Sequence, residues 1–221
     1  MDRMYKFITD PDQIENKSME IIAEILGDRN FPPGEEAVIK RIVHTTADPE
    51  YASLTLFSPG ALSAARKALQ EKRCSMVADT QMIVSGINKD LLARCGGDVT
   101  CFVGDEEVRI RAKGEGITRS MAAIRHAAAQ YGEGIFIIGN APTALFELLH
   151  LVKTGSLRPA LVVGVPVGFV GAAESKEALQ QTNLPYITVR GRKGGSTVAV
   201  AIINALLKLN VESQKSNVES Q

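Results

Sequence analysis

Two short runs, Ile135-Phe136-Ile137-Ile138 and the six residues from Ala160 to Val165, contain no polar side chain. A strand with one face in water alternates apolar and polar residues, whereas a strand apolar throughout must be covered on both faces. Runs of four to six residues suit strands and are too short for typical helices. Each run is followed by a stretch with helical spacing, Thr143 to Lys153 after the first and Ser175 to Gln181 after the second. Buried strands separated by amphipathic helices specify a mainly parallel sheet with helices on both faces, a doubly wound α/β architecture.

The rest of the chain fits this plan. Leu54 to Leu56, Cys74 to Asp79, Val99 to Val103 and Tyr186 to Val189 read as further strands. Helices are expected over Pro11 to Leu26, Glu35 to Thr46, Pro59 to Glu71, Asn88 to Cys95, Thr118 to Tyr131 and Thr197 to Leu209. Val108-Arg109-Ile110-Arg111 reads as a short polar extension of the strand before it. In the first helix Asp10 can cap, Pro11 suits the first turn and Gly27 ends the run. Its apolar stripe is Ile14, Ile21, Ile22 and Ile25, and Ser18 falls on it. A hydroxyl there either bonds its own helix backbone or faces a ligand.

The 221 residues suit one domain, expected over 1–209. Beyond it, 210–221 contains NVESQ twice, at 210–214 and 217–221. Such a polar, Ser-rich tail has little apolar surface to bury and is expected to be disordered. Lys plus Arg and Asp plus Glu are 25 each, so no global charge directs the chain to nucleic acid or membrane, and a bound anion must be met by local cations. Met1 to Lys6 lacks the apolar run of a signal peptide. No stretch approaches the roughly 20 apolar residues that span a bilayer. Val198 to Leu209 reads as a buried helix. Three cysteines without CxxC spacing argue against disulfides and zinc and fit a reducing cytosol. His44, His126 and His150 are scattered, so no metal site is expected.

In a doubly wound sheet the ligand lies beyond the carboxyl ends of the strands. The informative loops are those following strands: Asp79-Thr80, Pro166-Val167-Gly168-Phe169, and two that are rich in glycine or turn residues, Gly139-Asn140-Ala141-Pro142-Thr143 and, within Arg190 to Ser196, Gly191-Arg192-Lys193-Gly194-Gly195-Ser196. The last carries two cations before a helix, a setting that receives anions. It matches neither the P-loop nor GxGxxG, so no dinucleotide is indicated. Arg41, His44 and Thr45 share one helix face, and Asp48 lies four beyond His44, where it can approach the imidazole. Arg119 opens a helix after a Gly-rich bend. No Ser-His-Asp grouping stands out. These residues describe a cytosolic α/β domain with an anion-suited cleft.

Several segments resemble the precorrin-8X methylmutases: Ile42-Val43-His44-Thr45-Thr46-Ala47-Asp48, Phe57-Ser58-Pro59-Gly60-Ala61, Asp79-Thr80-Gln81-Met82, Thr118-Arg119-Ser120-Met121-Ala122, Gly139 to Leu145, Pro166 to Lys176, and Gly191 to Ser196 with Asn204-Ala205-Leu206. They occur in the family's order and extend to Leu207. The resemblance implies a flavodoxin-like fold, a homodimer and a cytoplasmic isomerase of cobalamin biosynthesis. Its reaction would move a methyl group from C-11 to C-12 of precorrin-8X or cobalt-precorrin-8. It implies His44 as the catalytic residue and Ser18, Arg41 and Arg119 as contacts to the tetrapyrrole substrate. No cofactor is implied, because the shift is intramolecular. Product transfer to a neighbouring enzyme of the pathway is a further expectation. Two other functions compete on the residues alone: a corrinoid carrier, which would not need His44, and a flavodoxin-like enzyme acting on a small anion.

Overall fold

A computed structural model describes residues 7–70 and 74–219, with side chains described as far as Gln214. The elements run α1 (Pro11–Leu26), α2 (Pro33–Thr46), α3 (Tyr51–Leu54), β1 (Thr55–Phe57), α4 (Ala61–Gln70), β2 (Ser75–Ala78), α5 (Gln81–Gly86) and α6 (Lys89–Arg94). They continue β3 (Asp98–Thr100), α7 (Glu106–Glu115), α8 (Arg119–Gln130), β4 (Ile135–Ile138), α9 (Pro142–Lys153), β5 (Leu161–Gly164), α10 (Ala172–Gln180), β6 (Tyr186–Val189) and α11 (Ser196–Glu219). The expected end of the fourth helix at Glu71 and the segment Met1 to Lys6 lie outside the described residues.

The strands form one sheet in the order β1-β6-β5-β4-β2-β3. All neighbours are parallel except β1, which pairs antiparallel with β6 through Thr55–Val189, Leu56–Thr188 and Phe57–Ile187. The architecture is the doubly wound α/β sheet expected from the apolar runs. β4 shows why those runs do not alternate. Ile135 and Ile137 enter the core that α1, α2, α4, α5 and α11 cover, while Phe136 and Ile138 enter the core that α7, α8 and α9 cover. All four are fully buried.

Four expectations change. Val108 to Arg111 does not extend a strand but lies in α7. Val108 and Ala112, four apart, are buried while Ile110 is 63% exposed, so the operative period is helical. Glu106–Arg109 and Arg111–Glu115 pairs brace its outer face, and Gly116 closes it in the left-handed conformation. Two short helices have no counterpart among the expected elements: α3, which takes Leu54 from the expected first strand, and α5, which Thr80 caps by accepting from the Ile83 amide. The α1 stripe is only partly interior. Ile22 and Leu26 are buried, whereas Ile14, Ile21 and Ile25 are 45%, 44% and 54% exposed.

The fourth change concerns the C-terminal segment, expected to lose order at Asn210. Helix α11 runs unbroken through it to Glu219. Asn210 and Val211 are buried, and the Asn210 amide donates to Cys95 Sγ at 3.3 Å. The register of α11 keeps one face on the core for another half turn, and this outweighs the polar composition. Ser196–Gln214 is 19 residues with a mean hydropathy of 1.2, long and apolar enough by composition to cross a membrane. More than half of it is buried inside the fold, where it packs on α2, α4, α5 and α6. That placement is the buried helix anticipated for Val198 to Leu209, extended at its C-terminal end.

Candidate functional site

The carboxyl ends of β2, β4, β5 and β6 open into the loops that the sequence singles out. Asp79 follows β2 and is buried. Its carboxylate accepts the amides of Gly139, Asn140 and Ala141 at 2.9, 2.8 and 2.7 Å. The turn before α9 is therefore organised around an internal carboxylate. Burial pushes the Asp79 carboxyl up, and the three amides oppose that shift.

The Gly191–Ser196 loop is held just as firmly. The Gly195 amide donates to Val165 O at 2.8 Å and the Gly168 amide to Arg192 O at 3.2 Å. Gly194 has a φ of +150°, and a Cβ there would fall on the Val165 carbonyl, so only glycine fits. Lys193 forms ion pairs with Asp48 and with Glu50. Its carbonyl accepts Lys176 Nζ at 2.6 Å. Lys176 is fully buried, and that burial lowers its amine to about 8. The Tyr51 hydroxyl meets the Gly194 backbone. At the far wall Thr80 and Ser196 share a hydroxyl hydrogen bond of 3.0 Å.

This arrangement revises the role of two residues. Lys193 was expected to help receive ligand anions, yet two internal carboxylates neutralise it. Arg192 remains, 5.8 Å from the Phe169 ring, and Phe169 and Val170 are 86% and 89% exposed at the mouth. Asp48 does not orient His44. Ala47 takes the left-handed conformation with φ 52°, which ends α2 and turns the chain, and Asp48 faces Lys193 instead. Lys193 lowers the Asp48 carboxyl below its usual range.

The residues expected at the site fall on two sides of the sheet. Arg41 and His44 lie one turn apart on α2, with His44 and Thr45 exposed. Arg41 Nη2 donates to Glu15 Oε1 of α1 at 2.8 Å. Ser18 is the next turn of α1, and its hydroxyl donates to Ile14 O at 2.8 Å, the backbone option of the two left open by the sequence. Arg41, Thr45, Asn88, Asn204 and Lys208 line a cavity of about 380 Å³. Arg119 is exposed as the first residue of α8, whose buried side chains belong to the opposite core. The chain thus gathers Ser18, Arg41 and His44 on α1 and α2 but leaves Arg119 across the sheet.

Sequence reasoning missed Lys176 and Glu15, and it placed Asp79 in a loop beyond a strand without its role as the carboxylate that organises the neighbouring turn. Asp79 ends a strand as an acid before a hydroxyl, a weak signal of a capped turn. Glu15 stands one helical turn before Ser18. Nothing in the pattern around Lys176 marks it as buried. Among the described residues no group of three or more His, Cys, Asp or Glu side chains is placed to hold a metal ion.

Comparison with known proteins adds the identity. The family model described as precorrin-8X methylmutase matches residues 13–209. The cobalt-precorrin-8 methylmutase of Salmonella typhimurium is 48% identical over 208 residues, covering 91% of this chain and 96% of that protein. The precorrin-8X methylmutase of Pseudomonas aeruginosa is 37% identical over 205 residues, covering 92% and 98%. The solved structure of precorrin-8X methyl mutase from Thermus thermophilus superposes with a TM-score of 0.86 at 41% identity, covering 91% of this chain and 97% of that one. Fold, motif order and these relatives agree, and the chain belongs to the precorrin-8X methylmutase family.

Proposed function

We propose that the chain moves a methyl group from C-11 to C-12 of a corrin precursor in cobalamin biosynthesis, with His44 as the residue that manages the proton. The observation that carries this reading is the α2 surface. His44 is exposed one turn from Arg41, beside a cavity that Arg41 and Thr45 line. A macrocycle whose acetate or propionate groups engage Arg41 would bring its ring to the imidazole. The migration is intramolecular, so atoms balance without a methyl donor or redox partner. The reorganised conjugation needs a group that gives or takes a proton near neutral pH, and imidazole has an unperturbed pKa of about 6.5.

Arg41 and Arg119 are proposed to grip substrate carboxylates, since guanidinium groups pair with them in bidentate fashion. Ser18 is proposed as a further contact by exchanging its bond to Ile14 O for one to the ligand. The relatives carry both substrate names, and either precorrin-8X or cobalt-precorrin-8 is proposed as the natural substrate, with hydrogenobyrinate or cobyrinate as the product. The enzyme is proposed to act as a cytoplasmic homodimer of single-domain subunits that can pass product to a neighbouring pathway enzyme. The exposed isoleucines of α1 are an apolar face that supports association.

The test is His44→Ala, a change at an exposed position. General acid–base assistance contributes about 10²–10⁴-fold. The variant is expected to lose kcat by that order while retaining its melting temperature and binding substrate. Near wild-type turnover would remove His44 from the mechanism.

A further inference from the structure

We propose that Glu15 is an internal counter-ion that occupies Arg41 until a substrate carboxylate displaces it, and that it thereby tunes how tightly this surface holds carboxylate-bearing macrocycles. The inference rests on the reading of Arg41 as a substrate contact and adds a residue to it. Glu15 Oε1 lies 2.8 Å from Arg41 Nη2. It stands between two cavities, one of about 570 Å³ and one of about 380 Å³, and Glu15, Arg41 and Lys208 line both. A ligand carboxylate in either cavity that reaches Arg41 therefore meets Glu15 there.

The pair is built to be exchanged. Its side chains are 45% and 25% exposed, and ion pairs with such access to water are weak. Lys208 Nζ is 3.9 Å from the same Glu15 oxygen, so a displaced Glu15 keeps a cation at hand and is not stranded. A third cation of the larger cavity, Lys40, is paired with Glu36 at 2.7 Å, and Asp12 and Glu212 line that cavity as well. Arg41 holds the Glu15 carboxyl below its usual range, with smaller contributions from Lys208 and His44. Glu15 therefore stays ionised at neutral pH and competes with any ligand there. A carboxylate can replace it at Arg41 charge for charge. A neutral amide at the same position on the macrocycle cannot.

The experiment titrates hydrogenobyrinate, the cobalt-free product, into wild type, Glu15→Gln, Arg41→Ala and the double variant, following absorbance, with thermal melts of each protein. Glu15→Gln is expected to bind about two- to fivefold more tightly, the range that an exposed ion pair supports. Arg41→Ala is expected to bind more weakly, and in its background Glu15→Gln should make no difference. Glu15→Ala must shift affinity in the same direction, which keeps the test decisive if the glutamine variant folds poorly. If Arg41→Ala weakens binding but Glu15→Gln binds equally or less tightly, Glu15 merely orients Arg41 and the counter-ion proposal falls while the site stands. If Arg41→Ala binds as wild type does, the reading of the site falls and the proposal with it.

Discussion

Side chains divide here into those whose roles show in local pattern and those that only packing reveals. Arg41, His44 and Thr45 share a helix face by spacing alone, and the structure puts Arg41 and Thr45 in the lining of one cavity with His44 exposed next to Thr45. Asp48 does not follow that spacing, because it lies two residues past Thr46, where the helix ends. Ala47 at φ 52° breaks the register and delivers Asp48 to Lys193. Lys176 had no sequence signal, because a lysine on a short amphipathic helix is ordinarily solvated. Its burial has a measurable consequence. Lowering the amine from 10.5 to about 8 means that below about pH 8 the folded chain holds a buried ammonium at full cost. Between about 8 and 10.5 the unfolded chain binds more protons than the folded one, so stability rises with pH from this group. Denaturation midpoints of wild type and Lys176→Met compared from about pH 7 to 10 should therefore shift in favour of wild type as pH rises. The comparison with the variant removes the contributions of other lysines and tyrosines. Parallel curves for the two proteins would show that Lys176 carries no such shift.

The elements were more legible than the contacts between them. The boundaries of α1 and β6 follow from a capped start, a terminating glycine and an apolar run, and these local signals are sufficient. Within α7, Val108-Arg109-Ile110-Arg111 satisfies a period of two over four residues and so mimics a strand. Only the wider window, with Ala112 four beyond Val108, favours the helix. In α11 register outweighs composition: the polar segment from Asn210 continues the helix. The burial of Val211 and the Asn210–Cys95 contact give the extension a definite energetic weight. Full burial of a valine side chain contributes about 1.5–3 kcal/mol, and in a domain of this size each kcal/mol moves the melting temperature by roughly 2–4 °C. A chain truncated after Leu209 should therefore melt several degrees lower than the full chain, whereas one truncated after Gln214 should melt within about a degree of it. Equal melting temperatures for both truncations and the full chain would show that α11 contributes nothing past Leu209.

At the scale of the molecule, one sheet and its helices produce two opposed cores and a rim of loops at the carboxyl ends of the strands. The loops of the rim are tied down at identifiable points: Asp79 binds three amides, Gly194 admits no side chain, and Lys176, Lys193 and Tyr51 hold the loop between them. Fold class was legible because buried parallel strands cannot hide their composition. The division of Ser18, Arg41 and His44 from Arg119 was not, because sequence order does not say which layer a helix joins. The claim that unites these features is that the chain converts its substrate catalytically and does not simply carry it. The most direct measurement mixes purified protein with about a hundredfold excess of precorrin-8X and, separately, of cobalt-precorrin-8, and follows the absorbance spectrum of each. The account predicts complete conversion of at least one substrate to the corresponding corrin, many turnovers per protein, with the His44→Ala protein lagging by orders of magnitude. A spectral change that stops at one equivalent per protein, with the His44→Ala protein behaving identically, would contradict it and identify a carrier.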